Sequence, residues 1–167
     1  MIQKCYPDYC VESVRQLDEQ FYKTNNIKAV IFDIDNTLVT HTTATPPRDI
    51  LDYFSRLEQW GIKFAIASNN KKQRVEHFCR NLGIPYVYRA YKPRRTPLKK
   101  LAAQLGTPCE NICLVGDQLF TDMFGANRVG FVSVLVTALG ENETGFVSFK
   151  RVFEKMIMKK YNESRSR

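Results

Sequence analysis

The chain lacks several features that would assign it to a broad class of protein at once. No apolar run is long enough to cross a bilayer, and Met1-Ile2-Gln3-Lys4 leads into no signal-peptide core. The five cysteines include no Cys-x-x-C pair, and no histidine lies near Cys109 or Cys113 to complete a zinc site. We therefore expect a cytoplasmic protein with reduced thiols, without a structural zinc or a disulfide framework.

The chain does contain enough apolar sequence for one folded unit, together with an excess of positive charge. It has 167 residues, of which 44% are hydrophobic, and its formal net charge is +8. This length predicts a single domain, 1–167. The charge implies attraction to an anionic partner, which could be nucleic acid, a phosphorylated ligand or an acidic membrane face.

The segment from Ala29 to Val39 organises the rest of the sequence. It begins as a continuous apolar run of strand length and then carries two carboxylates, Asp33 and Asp35. Such a run is typical of a strand buried in a parallel sheet, and ligands bind beyond the carboxyl ends of such strands. Two like charges this close need a compensating cation, for which Mg²⁺ is the simplest candidate. Alternatively, the two aspartates only solvate a turn at the strand end.

Strands and helices alternate along the rest of the chain. After the strand at Ala29, further strands are predicted over 62–67, 85–88, 112–116 and 131–136, with helices between them. This alternation predicts an α/β fold, a Rossmann-like sandwich with about five parallel strands and helices on both faces. The preceding segment, 1–26, is predicted to contain only a short amphipathic helix over 13–22 and some packing residues.

Polar residues at the ends of the predicted strands suit phosphoryl transfer. Asp33 could attack a phosphorus atom as a nucleophile, and Asp35 could protonate the leaving oxygen and later activate water. Ser68 and Asn69 offer a hydroxyl and an amide to phosphoryl oxygens, and Lys92 offers a positive charge.

Two further aspartates complete a predicted metal site. Asp117 follows the fourth predicted strand and can join Asp33 in an oxygen cage for Mg²⁺. Asp122 can orient the waters of the metal without binding it directly.

These residues lie in four motifs that resemble motifs I to IV of the haloacid-dehalogenase (HAD) superfamily. In order, they are Asp33-Ile34-Asp35-Asn36-Thr37, Ser68-Asn69, Lys92-Pro93 and Gly116-Asp117-Gln118-Leu119-Phe120-Thr121-Asp122. The resemblance covers 27–137, which it marks as the catalytic core between an N-terminal extension, 1–26, and a basic amphipathic tail, 138–167.

The resemblance implies a role for each of these side chains. Asp33 would be the nucleophile and Asp35 the acid/base, with Mg²⁺ held by Asp33, the backbone carbonyl of Asp35 and Asp117. The implied phosphate contacts come from Ser68, Asn69 and Lys92. Thr37 and Asp122 would support the metal ligands without binding the metal themselves.

The resemblance also narrows the family. Asn36 stands where many superfamily members have glycine, and the asparagine form resembles subclass IIIA. With Pro7-Asp8 and Asn127-Arg128-x-Gly130, the pattern is similar to a bacterial group of IIIA phosphatases. That group is related to the mitochondrial phosphatidylglycerophosphate phosphatases.

The spacing of the motifs leaves no room for a cap domain. About 28 residues separate Val39 from Ser68, and 23 separate Asn69 from Pro93, and the predicted helices and strands account for them. An uncapped site would admit a phosphate carried on a lipid headgroup, a protein or a nucleic-acid end.

The tail carries apolar residues at helical spacing with basic residues among them. The apolar residues are Phe146, Phe149, Val152, Phe153, Met156, Ile157 and Tyr161. One interpretation is an interfacial helix that anchors the protein peripherally at the inner face of the membrane. The other is an ordinary helix that packs its apolar stripe on the sheet, with lysines and arginines in solvent.

The sequence is therefore interpreted as a Mg²⁺-dependent phosphomonoesterase that forms an aspartyl-phosphate. Its predicted substrate is phosphatidylglycerophosphate, an anionic phospholipid, which it would convert to phosphatidylglycerol. An alternative substrate is a phosphorylated protein, nucleic-acid end or small metabolite. A different class of function, an RNA- or ribosome-assembly-associated binding protein on the same fold, is opposed by the complete set of catalytic residues.

Overall fold

The computed structural model describes residues 2–140, 154 and 156–163. Six parallel strands form one sheet in the order β1-β6-β5-β2-β3-β4. The strands are β1 (Tyr9–Val11), β2 (Ala29–Phe32), β3 (Lys63–Ala67), β4 (Tyr86–Val87), β5 (Ile112–Gly116) and β6 (Val132–Val136). The helices are α1 (Glu19–Thr24), α2 (Arg48–Gln59), α3 (Lys72–Cys79), α4 (Arg95–Leu105) and α5 (Phe124–Val129), with a C-terminal helix described at 154 and 156–163.

The sheet separates two layers of helices. Alternate strand residues point to opposite faces, so Val30 and Phe32 enter one apolar cluster while Ala29 and Ile31 enter the other. Helices α1, α2 and α3 pack on the first face, and α4, α5 and the C-terminal helix on the second. The predicted α/β sandwich with helices on both faces is confirmed.

The strand β2 lies in the middle of the sheet and positions the site. Phe32 pairs in register with Ile66 of β3 and Val115 of β5, and the backbone N–H of Asp33 donates to the Val115 carbonyl at 3.0 Å. The residues that follow these three strands therefore meet at one edge of the sheet.

The sheet has one strand more than the five predicted from the sequence, and it comes from the N-terminal extension. Tyr9–Val11 pairs with β6 as an edge strand. Its three residues are too few for a periodic signal. Asp8 secures the strand, because its Oδ2 accepts hydrogen bonds from the backbone N–H and hydroxyl of Ser133, at 2.8 and 2.9 Å.

Within residues 2–140 there is no folded unit above the site. The segment from Val39 to Ser68 forms α2 and β3, and that from Asn69 to Pro93 forms α3 and β4. The five cysteines are free thiols. Among the described residues, no helix is long and apolar enough to span a membrane.

The described part of the C-terminal helix packs against the body of the protein. Ile157 and Tyr161 are buried, and the Tyr161 ring meets Tyr6 edge-on at 5.4 Å between centroids. Glu154 is also buried, and its Oε1 accepts a hydrogen bond from the Leu119 N–H at 2.9 Å. For these residues the structure favours the packed helix over the lipid anchor. Phe146, Phe149, Val152 and Phe153 lie outside the described residues.

Candidate active site

Three buried aspartates meet at the carboxyl edge of the sheet. Asp33 follows β2, Asp117 follows β5, and Asp122 lies in a π-helical turn, Leu119–Met123, that precedes α5. One carboxylate oxygen from each lies within 4.8 Å of the others. The structure thus brings together residues that are up to 89 positions apart in the sequence.

A buried ammonium group lies between two of these carboxylates. Nζ of Lys92 is 2.6 Å from Oδ1 of Asp33 and 2.7 Å from Oδ1 of Asp122. Burial alone would lower the pKa of Lys92, but the two carboxylates outweigh burial and raise that pKa above its ordinary value. Lys92 is therefore positively charged at neutral pH.

One ammonium cannot neutralise three carboxylates. Burial, together with Asp122 and Asp117, raises the pKa of the Asp33 carboxyl to about 8, although Lys92 opposes that shift. A site with excess buried negative charge and only oxygen donors fits a hard divalent cation such as Mg²⁺. The donor chemistry and the charge of these three carboxylates thus suit a divalent metal ion.

Asp122 was predicted only to orient waters of the metal, but its carboxylate directly contacts the buried ammonium of Lys92. Besides Lys92, its carboxylate accepts a hydrogen bond from the Gln118 N–H at 3.1 Å. Gly116 leaves the space for this side chain, because a Cβ at position 116 would lie only 2.3 Å from Cγ of Asp122.

The backbone conformation of the turn after β2 explains why asparagine is suited to position 36 of the first motif. Asn36 has a φ of +65°, which glycine and asparagine adopt more easily than other residues. Its N–H donates to the Val39 carbonyl at 2.7 Å, and its own carbonyl accepts from Leu139 at 3.1 Å. Next to it, the Thr37 hydroxyl is 3.5 Å from Oδ1 of Asp117, so it lies beside one of the predicted metal ligands.

The carboxylate of Asp35 is not part of the aspartate cluster and has its own cation. Nη2 and Nε of Arg74 donate to its Oδ1 at 2.9 and 3.3 Å, and Asn70 donates to its Oδ2 at 3.1 Å. The guanidinium also donates to the Ala44 carbonyl at 3.0 Å and lies over the Phe78 ring. Sequence reasoning missed Arg74 and Asn70. Arg74 lies in the first turn of α3, where the helix dipole disfavours a positive charge. Its position there could have indicated that it pairs with a carboxylate.

The side chain of Asn69 and the backbone carbonyl of Ser68 hold the segment that carries Lys92. The backbone N–H of Lys92 donates to Oδ1 of Asn69 at 2.7 Å, and Nδ2 of Asn69 donates to the Lys92 carbonyl at 3.3 Å. Ser68 is buried, and its hydroxyl oxygen accepts from the Asn70 N–H at 3.1 Å. The Asn69 contacts hold that residue against Lys92, and the Ser68 carbonyl accepts a hydrogen bond from the Ala90 N–H, two residues before Lys92, at 2.9 Å.

A parallel sheet with these motifs at its carboxyl edge defines a class of enzyme, the HAD-superfamily phosphatases, which are phosphoric monoester hydrolases. Residues 2–139 match the family model described as mitochondrial PGP phosphatase. The chain belongs to this family.

Two relatives support the assignment. The chain is 32% identical to the Bacillus subtilis protein named Probable phosphatase YqeG, over 95% of this chain and 92% of that protein. It is 27% identical to Phosphatidylglycerophosphate phosphatase 1, chloroplastic/mitochondrial, of Arabidopsis thaliana, over 84% of this chain and 43% of that protein. The chain thus spans less than half of the plant phosphatase.

Solved structures share the fold at low sequence identity. The cobalt-bound deoxy-D-mannose-octulosonate 8-phosphate phosphatase of Haemophilus influenzae aligns with a TM-score of 0.53 at 20% identity, over 82% of this chain and 90% of that chain. A HAD-superfamily hydrolase of subfamily III A from Legionella pneumophila aligns with a TM-score of 0.52 at 23% identity, over 73% of this chain and 71% of that chain.

Proposed function

We propose that this phosphatase is Mg²⁺-dependent and removes the terminal phosphate of phosphatidylglycerophosphate through an aspartyl-phosphate on Asp33. The observation that carries the proposal is the buried Asp33–Lys92–Asp122 ion cluster at an edge with no cap above it within residues 2–140. Such a cluster supplies the positioning and charge compensation that phosphoryl transfer needs.

In the first half of the reaction, a carboxylate oxygen of Asp33 attacks phosphorus and the bond to the lipid alcohol breaks. Asp35 gives its proton to the departing oxygen, and Arg74 and Asn70 hold its carboxyl group for this transfer. Lys92 holds Oδ1 of Asp33 and faces the negative charge of the phosphoryl group. Ser68 and Asn69 contact the phosphoryl oxygens.

In the second half, a water molecule attacks the phosphorus of the aspartyl-phosphate. Asp35, now deprotonated, takes a proton from that water, and the bond between phosphorus and Asp33 breaks to release inorganic phosphate. A Mg²⁺ held by Asp33, Asp117 and the Asp35 carbonyl would neutralise charge on the phosphoryl oxygens. Thr37 and Asp122 keep the ligand side chains in place.

The lipid substrate is supported by three points. The family model and the plant relative both carry phosphatidylglycerophosphate phosphatase in their descriptions. The edge that holds Asp33 and Lys92 has no cap within 2–140, so a phosphate on a bulky lipid could reach it. The net charge of +8 also suits an anionic lipid.

The test is phosphate release from phosphatidylglycerophosphate in mixed micelles, with Mg²⁺ or with EDTA, beside the Asp33→Asn variant. We expect metal-dependent turnover of the lipid far above that of a generic aryl phosphate, and none with the variant. Turnover of the aryl phosphate alone would reject the lipid as the substrate but would remain consistent with the aspartyl-phosphate mechanism. Equal turnover by Asp33→Asn would reject the nucleophile.

A further inference from the structure

Exposed tyrosines and cations border the active site beside β3 and β4. The Tyr91 side chain is 54% exposed and Tyr88 is 38% exposed. Each ring lies under a cation of the same chain, with Arg94 at 5.2 Å from the Tyr91 centroid and Lys72 at 5.9 Å from that of Tyr88. We call these four residues, Lys72, Tyr88, Tyr91 and Arg94, the tyrosine rim.

The rim lies at the same edge of the sheet as the catalytic aspartates. Tyr88 directly follows β4, Lys72 begins the helix that follows β3, and Arg94 directly precedes α4. Tyr91 adjoins Lys92, whose ammonium contacts Asp33. A surface that seats on the rim would therefore meet the entrance of the site.

The backbone on either side of Ala90 adopts a strained conformation that leaves the side chains of Arg89 and Tyr91 exposed. Arg89 and Tyr91 have φ values of +45° and +48°, which bulky residues rarely adopt. Ala90 between them is fully buried, and its N–H donates to the Ser68 carbonyl at 2.9 Å. This alternation keeps Ala90 inside and both long side chains exposed.

The charge around the rim is positive. Lys71 and Arg89 are exposed cations in the adjoining loops, and Arg95 is an exposed cation at the start of α4. The acids that border it already face cations, since Glu76 lies 3.7 Å from Lys72 and Asp35 is paired with Arg74.

We propose that the tyrosine rim is a docking surface for an anionic phospholipid bilayer, so that the active site opens onto the lipid headgroups. Tyrosine prefers the interfacial zone of a membrane, and lysine and arginine are attracted to anionic headgroups. RNA would be attracted by the same positive charge, so the experiments below include it as a competing partner. The inference rests on the proposed function, because such a bilayer would carry the phosphorylated lipid.

Vesicle binding tests the electrostatic part of the rim. The full chain is sedimented with vesicles of phosphatidylcholine alone or mixed with phosphatidylglycerol. The Lys72→Gln/Arg94→Gln variant is compared with Lys28→Gln/Arg80→Gln, which removes two exposed cations from the opposite edge of the sheet. We expect the rim variant to bind the anionic vesicles about 25-fold more weakly than the native chain, since each of the two basic residues at such a surface contributes roughly fivefold. The control variant should lose less than about threefold.

A second variant tests the aromatic part. Tyr88→Ser/Tyr91→Asn removes both rings, and asparagine tolerates the left-handed backbone of position 91. Leu51→Ser, which removes an exposed apolar side chain from α2, is the control. The tyrosine variant should weaken binding at high salt, where the charge contribution is screened, and Leu51→Ser should not. Unfolding temperatures are recorded for all variants, and a variant that is not folded is replaced by the single substitutions.

The outcomes separate the rim from the proposed function. Equal vesicle binding by the rim variants and their controls would overturn the proposal that the rim docks on the bilayer, even if the enzyme hydrolyses the lipid in detergent. Native binding to RNA but not to anionic vesicles would overturn it as well. Vesicle binding that is lost only in the rim variants supports the rim, even if the lipid phosphate is not cleaved and the proposed function fails.

Discussion

Arg74 donates two hydrogen bonds to one carboxylate oxygen of Asp35, from Nη2 at 2.9 Å and from Nε at 3.3 Å. The remaining guanidinium nitrogen, Nη1, donates to the Ala44 carbonyl at 3.0 Å. The Arg74 side chain therefore fixes both Asp35, the proposed acid/base, and the loop formed by residues 40–47. Both groups of the ion pair are mostly buried, which makes the geometry more restrictive than that of a surface pair.

Replacement of Arg74 should affect substrates according to their leaving groups. An alkoxide needs a proton from Asp35, whereas a nitrophenolate leaves without one. In single-turnover experiments we expect Arg74→Gln to slow phosphoryl transfer from an alkyl phosphate by roughly 10- to 100-fold. Transfer from nitrophenyl phosphate should slow by less than about threefold. Arg80→Gln, at the end of the same helix, is the control. Equal losses on both substrates would contradict the positioning role.

Asp33→Asn should stabilise the metal-free protein at alkaline pH. The pKa of Asp33 is raised from 3.8 to about 8, so the native state binds this proton more tightly than the unfolded state. The stabilisation is complete below about pH 4 and is lost as the pH rises through about 8. In EDTA, the unfolding temperature of the native chain should fall relative to that of the variant between pH 5 and pH 9. A relative rise over that interval would contradict this assignment.

Lys92→Met should destabilise the protein strongly, because Asp33 and Asp122 would lose their buried cation. We expect a loss of about 3–5 kcal/mol in the free energy of unfolding, measured by urea denaturation in EDTA. Added Mg²⁺ should raise the unfolding temperature of this variant more than that of the native chain. Lys63→Met is the matched control, since Lys63 donates to the Leu105 carbonyl at the surface. A loss no larger than the control's would contradict the prediction.

Gly116→Ala should damage the site through a steric clash. The added Cβ would lie 2.3 Å from Cγ of Asp122, so that side chain must leave its contact with Lys92. We expect turnover of aryl phosphate to fall by at least about 100-fold. Gly61→Ala is the comparison, because nothing lies within 4 Å of its added Cβ and only its left-handed backbone is strained. That variant should lose about 1 kcal/mol of stability and keep its turnover per folded molecule. Native turnover by Gly116→Ala would show that Asp122 can relocate without consequence.

The central fold and the closeness of Asp33 to Asp117 could be predicted from the sequence because their signals are local. Each apolar run is followed by a polar residue at its carboxyl end, so the parallel topology alone brings Asp33 close to Asp117. Lys92 was predicted from its motif. Its contact with Asp122 depends on the space left by Gly116, which no periodicity reveals.

Other features depend on tertiary contacts and could not be predicted. The strand Tyr9–Val11 exists because β6 offers it an edge and Asp8 accepts two hydrogen bonds from Ser133. The segment predicted as one helix over 13–22 divides instead, because Asp18 caps a new helix by accepting from the Phe21 N–H at 2.8 Å. The Arg74–Asp35 pair joins the first turn of α3 to the segment after β2, and 38 residues separate the two positions in the sequence.

The two ends of the described chain meet on one side of the sheet, which ties their unfolding to that of the segment that carries Asp117 and Asp122. Tyr6 contacts Tyr161, and Glu154 accepts a hydrogen bond from Leu119, two residues after Asp117. Terminal segments usually fray first, and their amides exchange with solvent rapidly. Here the amide of Leu119 should be protected from exchange as long as the last helix stays docked. Removal of either end should expose the loop that carries Asp117 and Asp122 to proteases well before the central strands open.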